Sequence, residues 1–398
     1  MRDYDFTKRN TSIDILRALT MVLMIFVNDL WTVNDVPKWM QHANMNEDFL
    51  GLADVVFPLF LFVMGMSIPY AIKRRFSKGY SELSTIIHIL TRTFALLIMG
   101  IFTVNTEIGF SRDMIINRDS FLILMVVGFL LIWNLYPKTD KQIRYLYEVL
   151  KIIGVLLLVF LAIVYRDENG EVMQVRWWGI LGLIGWAYLV CSLIYLFVRN
   201  KISVILAFWV GFVILCLIKS SNIIPRESFI NSFINIFQLG TGANVSFTMG
   251  GILFSMLLVK YWDLLNYKKI LYFVTIALFL FLLAVISNNY WIVSKNEATL
   301  PWVLYCLSIA VASYVIIDYL VYIGKASWFT LIKSAGTATL TCYLVPYVLY
   351  SLFYGIINAS FPGWVISGVP GLIKSAVFAF LCVGITALLE QNKIKIKV

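Results

Sequence analysis

The sequence predicts an all-α, polytopic membrane bundle with both termini in the cytoplasm. Three observations carry this. Hydrophobic residues make up 61% of the chain and charged residues only 14%, where a soluble domain carries about a quarter charged. The apolar residues fall into runs of spanning length. The basic residues collect in alternate short loops between those runs.

A helix crossing a ~30 Å hydrocarbon core needs about 20 mostly apolar residues. Such runs lie at 13–33, 52–73, 84–104, 119–136, 145–165, 177–198, 202–218, 244–259, 269–287, 301–324, 337–357 and 370–390. The runs at 202–218 and 244–259 are short and read as tilted or re-entrant, so the expected count is about 11–12. No composition shift, solenoid repeat or low-complexity tract interrupts them, and 1–398 is read as one transmembrane domain. The first apolar run contains Asp14 and Arg17 and no cleavage site follows, so it is not a secretory signal.

Cytoplasmic loops of membrane proteins are enriched in Lys and Arg. With the N-terminus inside, the inner loops hold 20 such residues and the outer loops 8. The inner set includes Arg2, Lys8, Arg9, Arg74, Arg75, Lys138 and Lys141, and the outer set Lys38, Arg226 and Lys295. This alternation explains the net charge of +10 as a topology signal and excludes nucleic acid as the partner. The loop carrying His42 then faces outward. The five cysteines all lie in apolar runs, with no C-x-x-C and no Cys/His metal spacing. They read as small apolar fillers.

Only two histidines exist, His42 in the first outer loop and His88 near the inner start of the third run. Histidine is the side chain most easily used as a base near neutral pH. A solvated loop residue is the plain alternative for His42, and a helix-end residue near the headgroups is the reading for His88. Asn28 lies about 16 residues into the first run, roughly 24 Å along a helix. Asn28, Asp29, His42 and Asp54 are therefore expected in one outer layer, with Asp29 read as an ordinary polar span end. Arg92 sits about 12 Å deep in the third run, where an ionisable group usually faces a polar cavity or a partner. Arg17 is one turn from Asp14, which suits a local ion pair. Asp318 is a further candidate partner for either arginine. The alternative is an inner cationic vestibule for a phosphate-bearing ligand. The glycine-rich TGANVSFTMGG at 241–251 opens a run and suits close helix contact. No nucleotide-binding or nucleophile-elbow motif is present.

Several segments resemble the heparan-α-glucosaminide N-acetyltransferase-like family of transmembrane acyltransferases. They are Ser12, Asp14 and Arg17 in SIDILRAL, MIFVN ending at Asn28, HANMN from His42 to Asn46, and ADVVFPLFLFVMGMSIP from Ala53 to Pro69. PWVLYCLSIAVASYVIIDYL at 301–320 and GTATLTCYL at 336–344 resemble two later family spans. The chain departs from the family pattern at Glu47-Asp48-Phe49, where Gly-Leu-Thr is usual, and at Ala338, where asparagine is usual. The likeness is to a divergent bacterial branch. It implies transfer of an acetyl group from cytosolic acetyl-CoA to an amino sugar or glycan across a bacterial inner membrane. It also implies His42 and Asn28 as the key residues, and Asp54, from the same outer layer, is expected to orient the imidazole. Arg17, Arg92 and Gly336 fall on the cofactor side. His42 is expected to act as general base or to carry the acetyl group itself. Oligomeric state stays open, with a homodimer among the options. The rival readings are a sugar or sugar-derivative permease, and a membrane scaffold with no small-molecule site.

Overall fold

The protein was analysed as a computed structural model. It describes residues 6, 10–137, 140–221, 234–235, 238–261 and 266–398. The topology residues Arg2, Lys8, Arg9, Lys138 and Arg226 lie outside them. The described residues are helical, with no strand beyond two isolated bridges. The all-α expectation holds.

The helices are α1 (Thr11–Asp29), α2 (Leu52–Ser77), α3 (Glu82–Ile108), α4 (Arg118–Trp133), α5 (Lys141–Val164), α6 (Ile180–Val198) and α7 (Ile202–Ser220). There follow α8 (Ala243–Lys260), α9 (Asn266–Asn288), α10 (Leu300–Tyr322), α11 (Phe329–Thr337), α12 (Thr339–Tyr350) and α13 (Gly368–Gln391). Each of the twelve apolar runs corresponds to a helix. Ten of them are long and apolar enough to cross a membrane, with α12 counted together with the π-turn Ser351–Ile356 that extends it. The other two runs are α1, which carries Asp14 and Arg17, and α4, which has 16 residues. The two runs read as short are complete helices of 19 and 18 residues.

The chain divides into two compact units. The first comprises Met1–Thr20, Pro37–Thr93 and Ile184–Thr330. Its centre is the pairing of α2 with α8, where backbones touch. A Cβ on Gly65 would lie 2.0 Å from the Thr248 carbonyl oxygen, and one on Gly251 would lie 2.0 Å from that of Phe62. The glycines of the 241–251 segment thus serve close helix contact. Ser255 donates to the Met66 carbonyl at 2.8 Å beside this crossing. The membrane supplies little hydrophobic drive between helices, so close van der Waals contact and such hydrogen bonds hold them. Helix α7 leaves most of its surface exposed and apolar, as a lipid-facing helix does.

The second unit comprises Met21–Val36, Phe94–Leu183 and Leu331–Val398. Its interior includes the aromatic cluster Phe110, Phe121 and Tyr165. Asp29 lies within it, 1% exposed. Its carboxylate accepts from Tyr350 at 2.7 Å and from Ser375 at 2.7 Å, and pairs with Lys374 at 2.8 Å. A buried charge persists only when paired and hydrogen-bonded in this way. Asp29, expected as an ordinary polar span end, is instead a buried, paired carboxylate at the end of α1.

A candidate active site at the amino end of α2

Helix α2 begins at a glycine because nothing larger fits. A Cβ on Gly51 would lie 1.8 Å from the Gln41 carbonyl oxygen. This approach folds the His42 loop back over the first turn of α2. Asp54 is the third residue of that turn and is 1% exposed. Its Oδ2 accepts the Gly51 and Ala43 amides at 3.3 and 2.9 Å. The exposed amides of a helix start stabilise an anion there. Its Oδ1 lies 2.7 Å from Nδ1 of His42. The imidazole itself is half open to its surroundings, with 52% of the side chain exposed.

The carboxylate decides the tautomer. An ionised oxygen can only accept, so Nδ1 carries the proton and the lone pair sits on Nε2. Among the described residues Nε2 has no hydrogen-bond partner. The pair therefore presents an oriented base whose second nitrogen is free to react, the logic of a histidine held by a buried acid.

Pro58 has a specific consequence here. It lacks the amide that would otherwise reach the Asp54 carbonyl four residues back. That carbonyl is met from α10 instead, by the Trp302 indole N–H at 3.1 Å. The thiol of Cys306 lies 4.0 Å from the same oxygen. Trp302 is thus the donor that replaces the missing helical bond. Trp302→Phe should cost about 1–3 kcal/mol by leaving the carbonyl unsatisfied. Adding Pro58→Ala should recover part of that loss, because an amide becomes available. Denaturation midpoints of the two single variants and the double variant measure this coupling, and strict additivity would remove Trp302 from that role.

Lys295 is the residue that sequence reasoning missed, since it counted only as one outer-loop cation. Its Nζ lies 3.2 Å from Nδ1 of His42 and 3.9 Å from Oδ1 of Asp54. The loop that carries it is clamped to the His42 loop. Asp48 accepts the Val293 amide at 2.7 Å and the Asn288 side chain at 3.2 Å. Thr299 closes the loop internally through Ile292 and Ser294. Asp48, in the Glu47-Asp48-Phe49 segment, is thus the residue that ties the two loops. Glu47 ion-pairs with Lys38, and that bond holds its carboxyl below the usual range. The five cysteines are buried and unbonded to one another.

The remaining candidates are distributed over both units. In the first unit, Arg17 pairs with Asp14 at 3.2 Å, as its spacing suggests, and donates to Ser67 at 2.6 Å. Asp318 pairs with Lys269 at 3.0 Å and accepts from Ser12 at 2.8 Å. Arg92 lies 4.6 Å over the Tyr188 ring. Its Nε is buried without a hydrogen-bond partner among the described residues. Asp318 is therefore not the partner of Arg92. In the second unit, Gly336 is buried in α11. Asn28 is exposed and lines a cavity of about 370 Å³ with Trp31, Glu107, Tyr347 and Tyr350. Those four residues also line a neighbouring cavity of about 560 Å³ that reaches Arg118, Asp119 and the π-turn. A Cβ on Gly355 in that turn would fall 2.1 Å from the Asp119 carboxyl carbon. The structure brings His42 and Asp54 together, and Asn28 and Asp29 both belong to the second unit.

Residues 9–234, more than half of the chain, match the model of a family described as a domain of unknown function, DUF5009. The chain belongs to the DUF5009 family. It is also 35% identical over 97 residues to the mouse heparan-alpha-glucosaminide N-acetyltransferase, covering 23% of this chain and 13% of the mouse protein. The human protein of the same name is 35% identical over 101 residues, covering 24% of this chain and 14% of its own length. This DUF5009 chain thus spans about a seventh of the length of the curated relatives it matches. The similarity is partial, and it is to an N-acetyltransferase.

Proposed function

We propose that this DUF5009 protein is a transmembrane acetyltransferase. The acetyl donor is cytosolic acetyl-CoA, and the acceptor is an amino sugar or glycan on the outer side of a bacterial inner membrane. The observation that carries the reading is the His42–Asp54 pair, 2.7 Å apart. An ammonium group is no nucleophile and must lose a proton before it attacks a thioester. Nε2 of His42 takes that proton as the amine attacks, the C–S bond breaks and the proton passes to the departing CoA thiolate. Alternatively, Nε2 attacks the acyl carbon itself, expels CoA thiolate and carries the acetyl group until the amine displaces the imidazole. Asp54 holds the ring and compensates the positive charge that develops on it. Asn28 is assigned the hydrogen bond to the developing oxyanion. Arg17, Arg92 and Gly336 are assigned to the donor. Arg92 fits an anionic group, because it is part-buried and makes no ion pair among the described residues.

Purified protein in liposomes, supplied with labelled acetyl-CoA and a panel of amino sugars, tests the proposal. Acetylated product is expected. Movement of labelled sugar across the bilayer without acetylation would replace the enzyme with a permease.

The orientation has its own test. Ser77 and Asn44 are exposed, and the native cysteines are all buried, so background labelling is low. In intact cells an impermeant thiol reagent should label Asn44→Cys and spare Ser77→Cys. The opposite pattern would invert the topology.

A further inference from the structure

We propose that Lys295 is a positioning residue whose ammonium opposes further protonation of the His42 ring that Asp54 holds through Nδ1, so that the lone pair on Nε2 stays available. The inference rests on the reading of His42 as the reacting group, and it deepens that reading. A buried carboxylate alone would favour the imidazolium, which has no lone pair and is no base. A cation 3.2 Å from the same ring nitrogen opposes that protonation. Lys295 also shares the Asp54 charge from 3.9 Å. It cannot donate to Nδ1 while Nδ1 donates to Asp54, so its action on the ring is electrostatic.

Among the described residues, the other charged groups on the segments packed around the ring are the Lys38–Glu47 pair, Asp48 and Glu297. Lys38 and Glu47 compensate each other, and Asp48 is engaged by Val293 and Asn288. Glu297 follows Lys295 in the same loop, and its amide bonds Ser294. Cys306 lies behind Asp54, against its carbonyl. Burial draws the Lys295 ammonium below the usual lysine range, with the Asp54 charge pulling the other way. Its cationic effect is present at pH values below its own titration and is lost as pH rises through it.

Diethyl pyrocarbonate reacts with neutral imidazole, so its rate at each histidine reports the neutral fraction. The chain has two histidines, which mass spectrometry resolves on separate peptides, with His88 as internal control. The full-length protein in detergent is labelled from roughly pH 5 to 9, the range that spans histidine titration. Lys295→Met should move the His42 midpoint up by about 0.7 pH unit or more, the effect of one charge at this distance in a wet site. Lys295→Arg should stay within about 0.3 unit of the parent, since the charge remains. Should Lys295→Met fail to fold, Lys295→Gln removes the same charge. A midpoint that stays or falls in the neutral variants overturns the inference. The acid limb of acetyl transfer should move with the labelling. A labelling shift in a protein that transfers no acetyl group would sink the proposed function and keep the electrostatic role. Transfer without any shift would do the reverse.

Discussion

On the proposed acetyltransferase reading, His42→Ala protein should transfer acetyl groups roughly 10²–10⁴-fold more slowly than the parent chain, the usual loss when a general base is removed. The protein should remain folded, because the imidazole is 52% exposed and leaves little cavity behind. Asp54 keeps the amides of Ala43 and Gly51 and the nearby Lys295, so its charge is not stranded. Donor binding should be retained, since the contacts assigned to the donor lie on other residues. Asn28→Ala should lose about 10²–10³-fold, the effect of one donor to a developing oxyanion. The assay is single-turnover transfer from labelled acetyl-CoA, with donor affinity measured separately by equilibrium binding. Equal rates for the parent and His42→Ala would remove His42 from the chemistry. A loss confined to donor affinity would move it to binding.

Asp29→Ala should destabilise the protein by about 3–5 kcal/mol, because it removes the counter-ion of the part-buried Lys374 ammonium and leaves it the Thr32 hydroxyl. Lys374 is 13% exposed and pairs with Asp29 at 2.8 Å. The hydroxyls of Tyr350 and Ser375 lose their acceptor in the same step. The double variant Asp29→Leu/Lys374→Met should recover most of that loss, since replacing both partners by apolar groups is often close to neutral. Thermal unfolding in one detergent, comparing the single and double variants, is the measurement. A double variant as unstable as the single one would show that Asp29 acts through its hydroxyl partners and not through the ion pair.

Much of this was legible in the sequence for one reason. Hydropathy and the Lys/Arg bias are read along the chain, and a bilayer leaves only helices as spanning elements here. The twelve apolar runs therefore matched helices with only small boundary changes. Arg17 and Asp14 were also legible, because residues three apart share a helix face. The candidacy of His42 and Asp54 came from a short ordered motif, and both residues lie within one loop and the helix turn beneath it.

What spacing could not reach depended on contacts between distant segments. Lys295 is 253 positions from His42, and only the Asp48 clamp between two loops brings it there. Trp302 is 248 positions from the Asp54 carbonyl it caps, and the need for it arises from the amide missing at Pro58. Asp318 looked like a partner for an arginine, but packing gave it Lys269. Sequence alone determined that the chain is a helical membrane protein and which histidine stands out. Tertiary structure alone decided which groups surround that histidine. The physical reason is that hydropathy acts on each segment against the bilayer, whereas charge pairing and hydrogen bonding depend on which segments meet.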